Sequence, residues 1–385
     1  MSTSFNTTSR HLLIAILEAL CIGDNTITVL KKSVGNGTDD IPVELKNKNI
    51  EIISVPVVSS KKGNFASRFI NDVRYVTNCK KCIKSDFDAV FVQSSNVAGF
   101  VFKHLRKRFP NAVKTYNAQD IFPENAVFSG NIKKNGLVYK VLSHFQRLAY
   151  EDADHIITIS EDMREFLINS LGVKSEKIEV IYNWSYHDDI YIKPDTAVLS
   201  GFFNPNFFNV VYAGNIGVMQ NVDVLIEAAR IMKSDSDVWF SIIGDGVYKQ
   251  KLEDKARHYC ISNISFWPLQ SSNLALDIYS PADVNVIPLV KDIYRTAMPS
   301  KTASCLACQK PIILAIGRDS EFGKILTENA DCLVVDSNNP EELVEAIRKI
   351  RIKSETNKMG AFFKEYCNKK INSSKYAQII TIKGD

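Results

Sequence analysis

The stretch Val210-Val211-Tyr212-Ala213-Gly214-Asn215-Ile216-Gly217-Val218-Met219-Gln220-Asn221-Val222-Asp223-Val224-Leu225-Ile226-Glu227-Ala228-Ala229 decides the fold. A short apolar run gives way to a turn with two glycines and then to apolar residues at helical spacing, so the expected order is strand, loop, helix. Glycine stands where the backbone must approach a neighbour or a ligand closely. Such a loop offers backbone N–H groups at the start of a helix, and a phosphate-bearing ligand is its natural tenant. Further on, Phe240-Ser241-Ile242-Ile243-Gly244-Asp245-Gly246 repeats the strand-then-glycine pattern. The loops of two consecutive strands are therefore expected to line one crevice.

Outward from this stretch, apolar β-rich runs alternate with helical patterns almost from end to end, the signature of parallel sheets covered by helices on both faces. Before it, strands are expected at 26–30, 50–57, 89–93, 113–117, 155–159 and 178–182, with helices at 66–79, 98–108, 138–151 and 161–171. After it, strands are expected at 210–212, 239–243, 264–267, 284–288, 312–315 and 332–335, and a helix at 340–350 opens with Asn339 as cap and Pro340 in its first position. Between the two series, residues 186–209 hold Pro194, Gly201 and Pro205 with no clear period, and are read as a crossing between domains. The expected fold is α/β with two doubly wound, Rossmann-like domains facing a cleft: an N-terminal domain at 1–185, a second domain at 210–360, and a helical tail at 361–385 that packs back on the first. One oddity stands at the start. A helix is expected from Ser9 to Leu20, capped by Thr7-Thr8-Ser9, yet no apolar strand precedes it, so the first strand of domain 1 reads as missing.

A length of 385 residues is too great for one ordinary core and suits two domains. With 45% hydrophobic and 23% charged residues the composition is globular, which excludes disordered and collagen-like classes. A formal charge of +4 argues against coating nucleic acid and permits one local basic face. No run approaches the roughly eighteen apolar residues of a membrane span, and the first residues lack a signal-peptide pattern, so a cytoplasmic chain is expected. Of the eight cysteines, Cys79/Cys82 and Cys305/Cys308 have the spacing of a zinc half-site. They sit on helix-like segments of different domains and are read as packing residues, so no metal is expected. The sequons at Asn6-Thr7-Thr8 and Asn36-Gly37-Thr38 mean nothing in a cytosolic chain.

Several motifs carry a family resemblance. Asn117-Ala118-Gln119-Asp120-Ile121-Phe122-Pro123-Glu124-Asn125-Ala126-Val127 resembles the D-x-x-P-E segment of family 4 glycosyltransferases that build bacterial capsule, O-antigen and exopolysaccharide. Ile156-Ile157-Thr158-Ile159-Ser160-Glu161 and Ile178-Glu179-Val180-Ile181-Tyr182-Asn183-Trp184 resemble their end-of-first-domain signature. Ala213-Gly214-Asn215-Ile216-Gly217, Ile243-Gly244-Asp245-Gly246, Pro299-Ser300-Lys301 and Gln309-Lys310-Pro311-Ile312 are similar to four successive elements of the donor domain. The match runs over nearly the whole chain in the expected order. It implies the GT-B architecture and retaining, metal-independent transfer from a nucleoside diphosphate sugar, with no cofactor.

The resemblance also assigns residues. Gly214 and Gly217 would present backbone donors to the diphosphate and Gly244 would line the same edge, with Lys301 as the positive charge and Pro299-Ser300 leading into its helix. The bland alternative is that Pro299-Ser300-Lys301 only caps a helix, with Ser300 as N-cap. Where the family commonly carries an Arg after the loop glycine and a Lys five positions later, this chain has Asn215 and Gln220. Where it carries an E-x7-E pair, this chain has Thr296 and Ser304, which lack the charge-assisted bonds of carboxylates; Glu321 is a stand-in candidate. The base is expected near Trp267 and Leu269. On the acceptor side, Asp120 would assist the acceptor hydroxyl, with Glu124, Arg10 and His11 nearby. The run Lys103-His104-Leu105-Arg106-Lys107-Arg108 ends a helix and reads either as dipole partners or as a dock for anionic lipid headgroups.

The expected function is transfer of a sugar from a nucleoside diphosphate donor, by resemblance a UDP-sugar, to a lipid-linked saccharide, at the inner face of the cell membrane. Two rivals stand beside it: a catalytically weakened partner subunit of the same fold, and a sugar-nucleotide epimerase.

Overall fold

The computed structural model describes residues 10–34, 42–46, 48–57, 65–83, 85–128, 130–186, 189–191, 201–203, 206–352 and 358–381. The expected cap at residues 7–9, both sequons and much of the crossing at 186–209 lie outside the described residues. Two compact units emerge: Met1–Tyr182 with Lys369–Asp385, and Asn183–Asn368.

The first unit runs α1 (Arg10–Leu20), β1 (Ile27–Val34), β2 (Ile50–Val57), α2 (Phe65–Cys82), β3 (Ala89–Gln93), α3 (Ala98–Arg108), β4 (Val113–Ala118), α4 (Glu124–Phe128), α5 (Leu137–Asp152), β5 (His155–Thr158), α6 (Glu161–Leu171) and β6 (Ile178–Val180). Its strands form two parallel pieces, β1-β2 and β3-β4-β5-β6. Helix α6 shows why the local signals work: the Ser160 hydroxyl accepts from Met163 N, acidic Glu161 and Asp162 fill the first turn, and Gly172 closes the helix in the left-handed region at φ 69°.

The second unit runs β7 (Phe208–Asn215), α7 (Asp223–Ile231), β8 (Val238–Asp245), α8 (Lys249–His258), β9 (Ile264–Trp267), α9 (Ala275–Tyr279), β10 (Val284–Pro288), α10 (Lys301–Ala307), β11 (Ile312–Ala315), α11 (Glu321–Ala330), β12 (Leu333–Val335), α12 (Pro340–Ile352) and α13 (Lys358–Tyr366). Its parallel sheet has the order β12-β11-β10-β7-β8-β9. The order reverses beside β7, so the loops leaving β7 and β10 open at the switch point where such sheets bind ligands. The core joins Val210, Tyr212, Phe240, Ile242, Val284 and Val286 of the sheet to Leu225 and Ala229 of α7 and Leu343 and Ile347 of α12. Strands buried on both faces need such near-continuous apolar runs.

The tail departs from the sequence expectation. Helix α13, read as the start of a tail from residue 361, belongs to the second unit, because it packs against α10 and α11 and buries Met359, Phe362 and Phe363. Only α14 (Lys369–Thr381) returns to the first unit, where it lies against α1, β3 and β4.

Candidate functional site

The penultimate residue of strand β7 is a glycine in a backbone conformation that other residues rarely adopt. Gly214 has φ +140°, and a Cβ added there would lie 2.9 Å from Lys301 Nζ. Lys301, the first residue of α10, reaches across to sit 3.8 Å from the centroid of the Tyr212 ring, a cation–π contact. Tyr212 is fully buried and its hydroxyl donates to the Asn215 carbonyl at 2.5 Å. One aromatic side chain thus supports both the cation and the turn that follows the strand. Burial holds the Lys301 ammonium down at about 8, against 10.5 for a free lysine. No carboxylate among the described residues offsets that desolvation, and the ammonium is primed to gain from an anion.

The loop after Gly214 is organised by its own polar side chains. Gln220 Oε1 accepts from Gly217 N at 3.2 Å and from Asn215 Nδ2 at 3.1 Å. These are the two positions where the resemblance expects cations, and here they form a neutral clamp. Neighbouring loops fix its base: Ile216 N donates to the Asp245 carbonyl at 2.8 Å, Tyr248 N to the Ile216 carbonyl at 3.0 Å, and Val290 N to the Met219 carbonyl at 3.0 Å.

Gly244 pairs with Gly214 in the ladder, and a Cβ on it would fall 1.9 Å from the Gly214 carbonyl oxygen. That contact makes glycine obligatory. Lys249, unflagged by sequence, donates to the carbonyls of Gly244 and Trp267 at 3.0 Å each, tying the ends of β8 and β9 together. A single lysine at a helix start gives no pattern that would have announced it. Trp267 is half-buried, with Nε1 on Ser265 Oγ at 2.9 Å and its ring 4.8 Å from that of Phe202; Leu269 beyond it is 59% exposed.

The replacements for the expected carboxylate pair point inward. Thr296 is fully buried, its hydroxyl donating to the Ile293 carbonyl at 3.2 Å, and Ser304 is buried with its hydroxyl 3.4 Å from that of Ser185. Ser300 makes no side-chain cap; Thr302 Oγ1 instead bonds the Pro299 carbonyl at 2.9 Å. The capping alternative for this motif therefore lacks its hydrogen bond. Glu321 forms a surface pair with Lys324 at 2.6 Å on a helix capped by Ser320.

In the first unit, Asp120 follows β4 at the carboxyl edge of the sheet, its N–H directed to Ser94 Oγ at 3.3 Å. The residue is exposed, and the protein crowded around it raises its carboxyl above the usual carboxylate range. Glu124 is buried; Oε1 accepts from Tyr139 OH at 2.9 Å, Oε2 has no partner among the described residues, and burial raises the carboxyl. Arg10 pairs with Glu44 at 3.2 Å on the surface, and His11 is half-buried beside it on α1. All eight cysteines are free, and no cluster of metal-ligating residues occurs among the described residues.

With that geometry in hand, the class of protein follows from its domains. Residues 26–184 match the family model "Glycosyltransferase Family 4" and residues 200–365 match "Glycosyl transferases group 1". Two glycosyltransferase domains, a family 4 domain followed by a group 1 domain, thus account for most of the chain, and its fold is GT-B. Among curated proteins it is 26% identical to "Probable glycosyltransferase WbjE" of Pseudomonas aeruginosa over 245 residues, 60% of this chain and 58% of that one. It is 27% identical over 221 residues to "Putative colanic acid biosynthesis glycosyl transferase WcaI" of Escherichia coli (strain K12), 56% of this chain and 54% of that one. The matched region thus spans little more than half the length of these relatives. Among solved structures, "Trehalose-6-phosphate from E. coli bound with UDP-2-fluoro glucose" superposes with a TM-score of 0.71 at 13% identity, covering 99% of this chain and 98% of that one.

Proposed function

We propose that this protein transfers a sugar from a nucleoside diphosphate sugar, a UDP-sugar, to a lipid-linked saccharide in bacterial surface polysaccharide synthesis, with retention of configuration and without a metal. The observation that carries the reading is the lysine held over Tyr212 against Gly214, at the sheet's switch point. A departing diphosphate accumulates negative charge, and a desolvated cation already in place stabilises it far better than water does. As the acceptor oxygen bonds the anomeric carbon and the sugar's bond to the diphosphate breaks, the hydroxyl proton passes to the leaving phosphate, and Asp120 assists by orienting the acceptor. Gly214, Gly217 and Gly244 give the diphosphate close access to backbone, and Trp267 and Leu269 border the base. The name of WcaI supports the polysaccharide setting, and the UDP-sugar in the superposed structure supports the donor.

A lipid-linked acceptor calls for peripheral attachment to the inner face of the membrane. Two cations of the α3 run are engaged, Arg106 with Asp152 at 3.2 Å and Arg108 with Asp86 at 2.6 Å. A better surface for lipid opens α5, where Leu137 is 80% and Val138 59% exposed beside exposed Lys133, Lys134 and Lys140. Exposed aliphatic groups ringed by cations suit an anionic bilayer surface. No helix among the described residues is long and apolar enough to cross a membrane.

The test is thermal unfolding against a nucleotide panel, followed by assay of UDP-sugar turnover with and without Mg²⁺. UDP at a hundred times its Kd adds about 2.7 kcal/mol of apparent stability. Absence of any nucleotide-dependent shift, or turnover that strictly requires a metal, overturns the reading.

A further inference from the structure

Of three lysines around the loops that follow β7 and β8, two are already spent. Lys249 gives N–H groups to the carbonyls of Gly244 and Trp267, and Lys255 pairs with Asp223 and Glu227 at 2.7 and 2.6 Å. Lys301 is held differently. Its ammonium makes no hydrogen bond or ion pair among the described residues, and the polar contact that holds it is the face of Tyr212, 3.8 Å from Nζ to the ring centroid. A ring face attracts a cation through its quadrupole, the more strongly when water is excluded. Unlike a carbonyl or a carboxylate, it takes up no conventional hydrogen bond, so the ammonium's N–H donors stay available.

The seat itself is fixed. Tyr212 is fully buried in one core cluster with Val210 and Phe240, and its hydroxyl is anchored on the Asn215 carbonyl. Tyr279, also buried, donates to the Ala213 carbonyl at 3.3 Å, so two tyrosines grip the last residues of the strand. Gly214 leaves the gap that the ammonium uses: a Cβ there would stand 2.9 Å from Lys301 Nζ and 3.8 Å from the Tyr212 hydroxyl. Core filling alone would be met by any large apolar side chain. Here the ring face and the hydroxyl serve the cation and the turn instead.

We propose that Tyr212 is a positioning residue for the donor, its ring face seating the Lys301 ammonium with the N–H groups unspent, so that an arriving diphosphate meets a fixed cation and breaks no existing hydrogen bond. Tyr212 has this role only if the diphosphate binds at the end of β7, as proposed above. A carboxylate in its place would fix the lysine and consume it. An aliphatic side chain would fill the space and leave the ammonium unheld.

The test separates the ring's electrons from its bulk. Tyr212→Phe keeps the ring face and gives up the hydroxyl, and phenylalanines of increasing ring fluorination in its place drain the negative face stepwise at nearly constant volume. UDP affinity is read by titration calorimetry on the full chain, with natural Lys301 and again in the Lys301→Met background, and Tm is followed as a control. Tyr212→Phe should weaken UDP by no more than about threefold. Along the fluorinated series affinity should fall stepwise, by about tenfold in all, and that fall should be absent in Lys301→Met. Should the fully fluorinated form fail to fold, the lightly fluorinated ones carry the same trend. Affinity that is flat along the series, or that falls as steeply in Lys301→Met, overturns the role of Tyr212 and leaves the donor site standing. A natural chain that binds no UDP, or a Lys301→Met variant of natural affinity, removes the donor site itself and the role of Tyr212 with it.

Discussion

Lys301 Nζ stands 3.8 Å from the centre of the Tyr212 ring, and the Tyr212 hydroxyl in turn bonds the carbonyl of Asn215. Cation, ring and turn form one mechanical unit at the end of β7. Replacing Lys301 with Met should weaken UDP binding by roughly tenfold to a hundredfold, the worth of a charge-assisted contact, as read by titration calorimetry. An affinity equal to that of the natural chain would remove Lys301 from the phosphate site.

The same burial sets a pH dependence with a definite sign. The folded chain releases the Lys301 proton near pH 8, whereas the unfolded chain holds it to about 10.5. Between those values the unfolded state binds more protons, so this residue's contribution makes the ligand-free protein more stable as pH rises from 8 towards 10.5. UDP affinity should move the opposite way, falling above pH 8 as the cation is lost. Both trends should vanish in Lys301→Met; denaturant melts and nucleotide titrations across pH 7 to 10.5 check them.

Restoring positive charge to the clamp gives a gain-of-affinity test. Gln220→Lys removes the acceptor shared by Gly217 N and Asn215 Nδ2 and puts an ammonium beside the loop. We expect UDP to bind about five- to tenfold more tightly at low salt, with a steeper loss of affinity as salt rises. Unchanged affinity would place the diphosphate away from this loop.

Glu124 offers a stability test in the first unit. Burial raises its carboxyl above the unfolded value, so it favours folding below the unfolded pKa and loses that contribution as pH rises through the folded one. Glu124→Gln should therefore be more stable than the natural chain at pH 7 and show a flatter profile between pH 4 and 7. Tyr139→Phe removes the carboxylate's partner and should cost about 1–3 kcal/mol in a urea melt.

Much of the architecture is legible in the chain because parallel strands buried on both faces must be written as apolar runs. β2, β3, β9, β10 and β11 and helices α3 and α6 fall on the residues the pattern marks. β7 and β8 run further than expected, to Asn215 and Asp245, because Gly214 and Gly244 continue the ladder where any side chain would part the strands. The site is less legible. Whether Thr296 and Ser304 face a ligand or the interior depends on where their hydroxyls find carbonyl and hydroxyl partners, and those come from Ile293 and Ser185. Spacing carries no record of such pairings. Lys249 escaped for the same reason, since its two acceptors are main-chain oxygens.

Helix α14 closes the first unit from the far end of the chain: Tyr376 OH donates to Asn117 Oδ1 at 3.1 Å and Asn372 Nδ2 to the Tyr182 carbonyl at 2.9 Å. Asn117 and Tyr182 are translated long before their partners, so during synthesis on the ribosome the first unit must wait, incompletely sealed, while the entire second unit emerges. A nascent chain stalled before Lys369 would carry that exposed β4 flank as a chaperone substrate, however well its later half had folded.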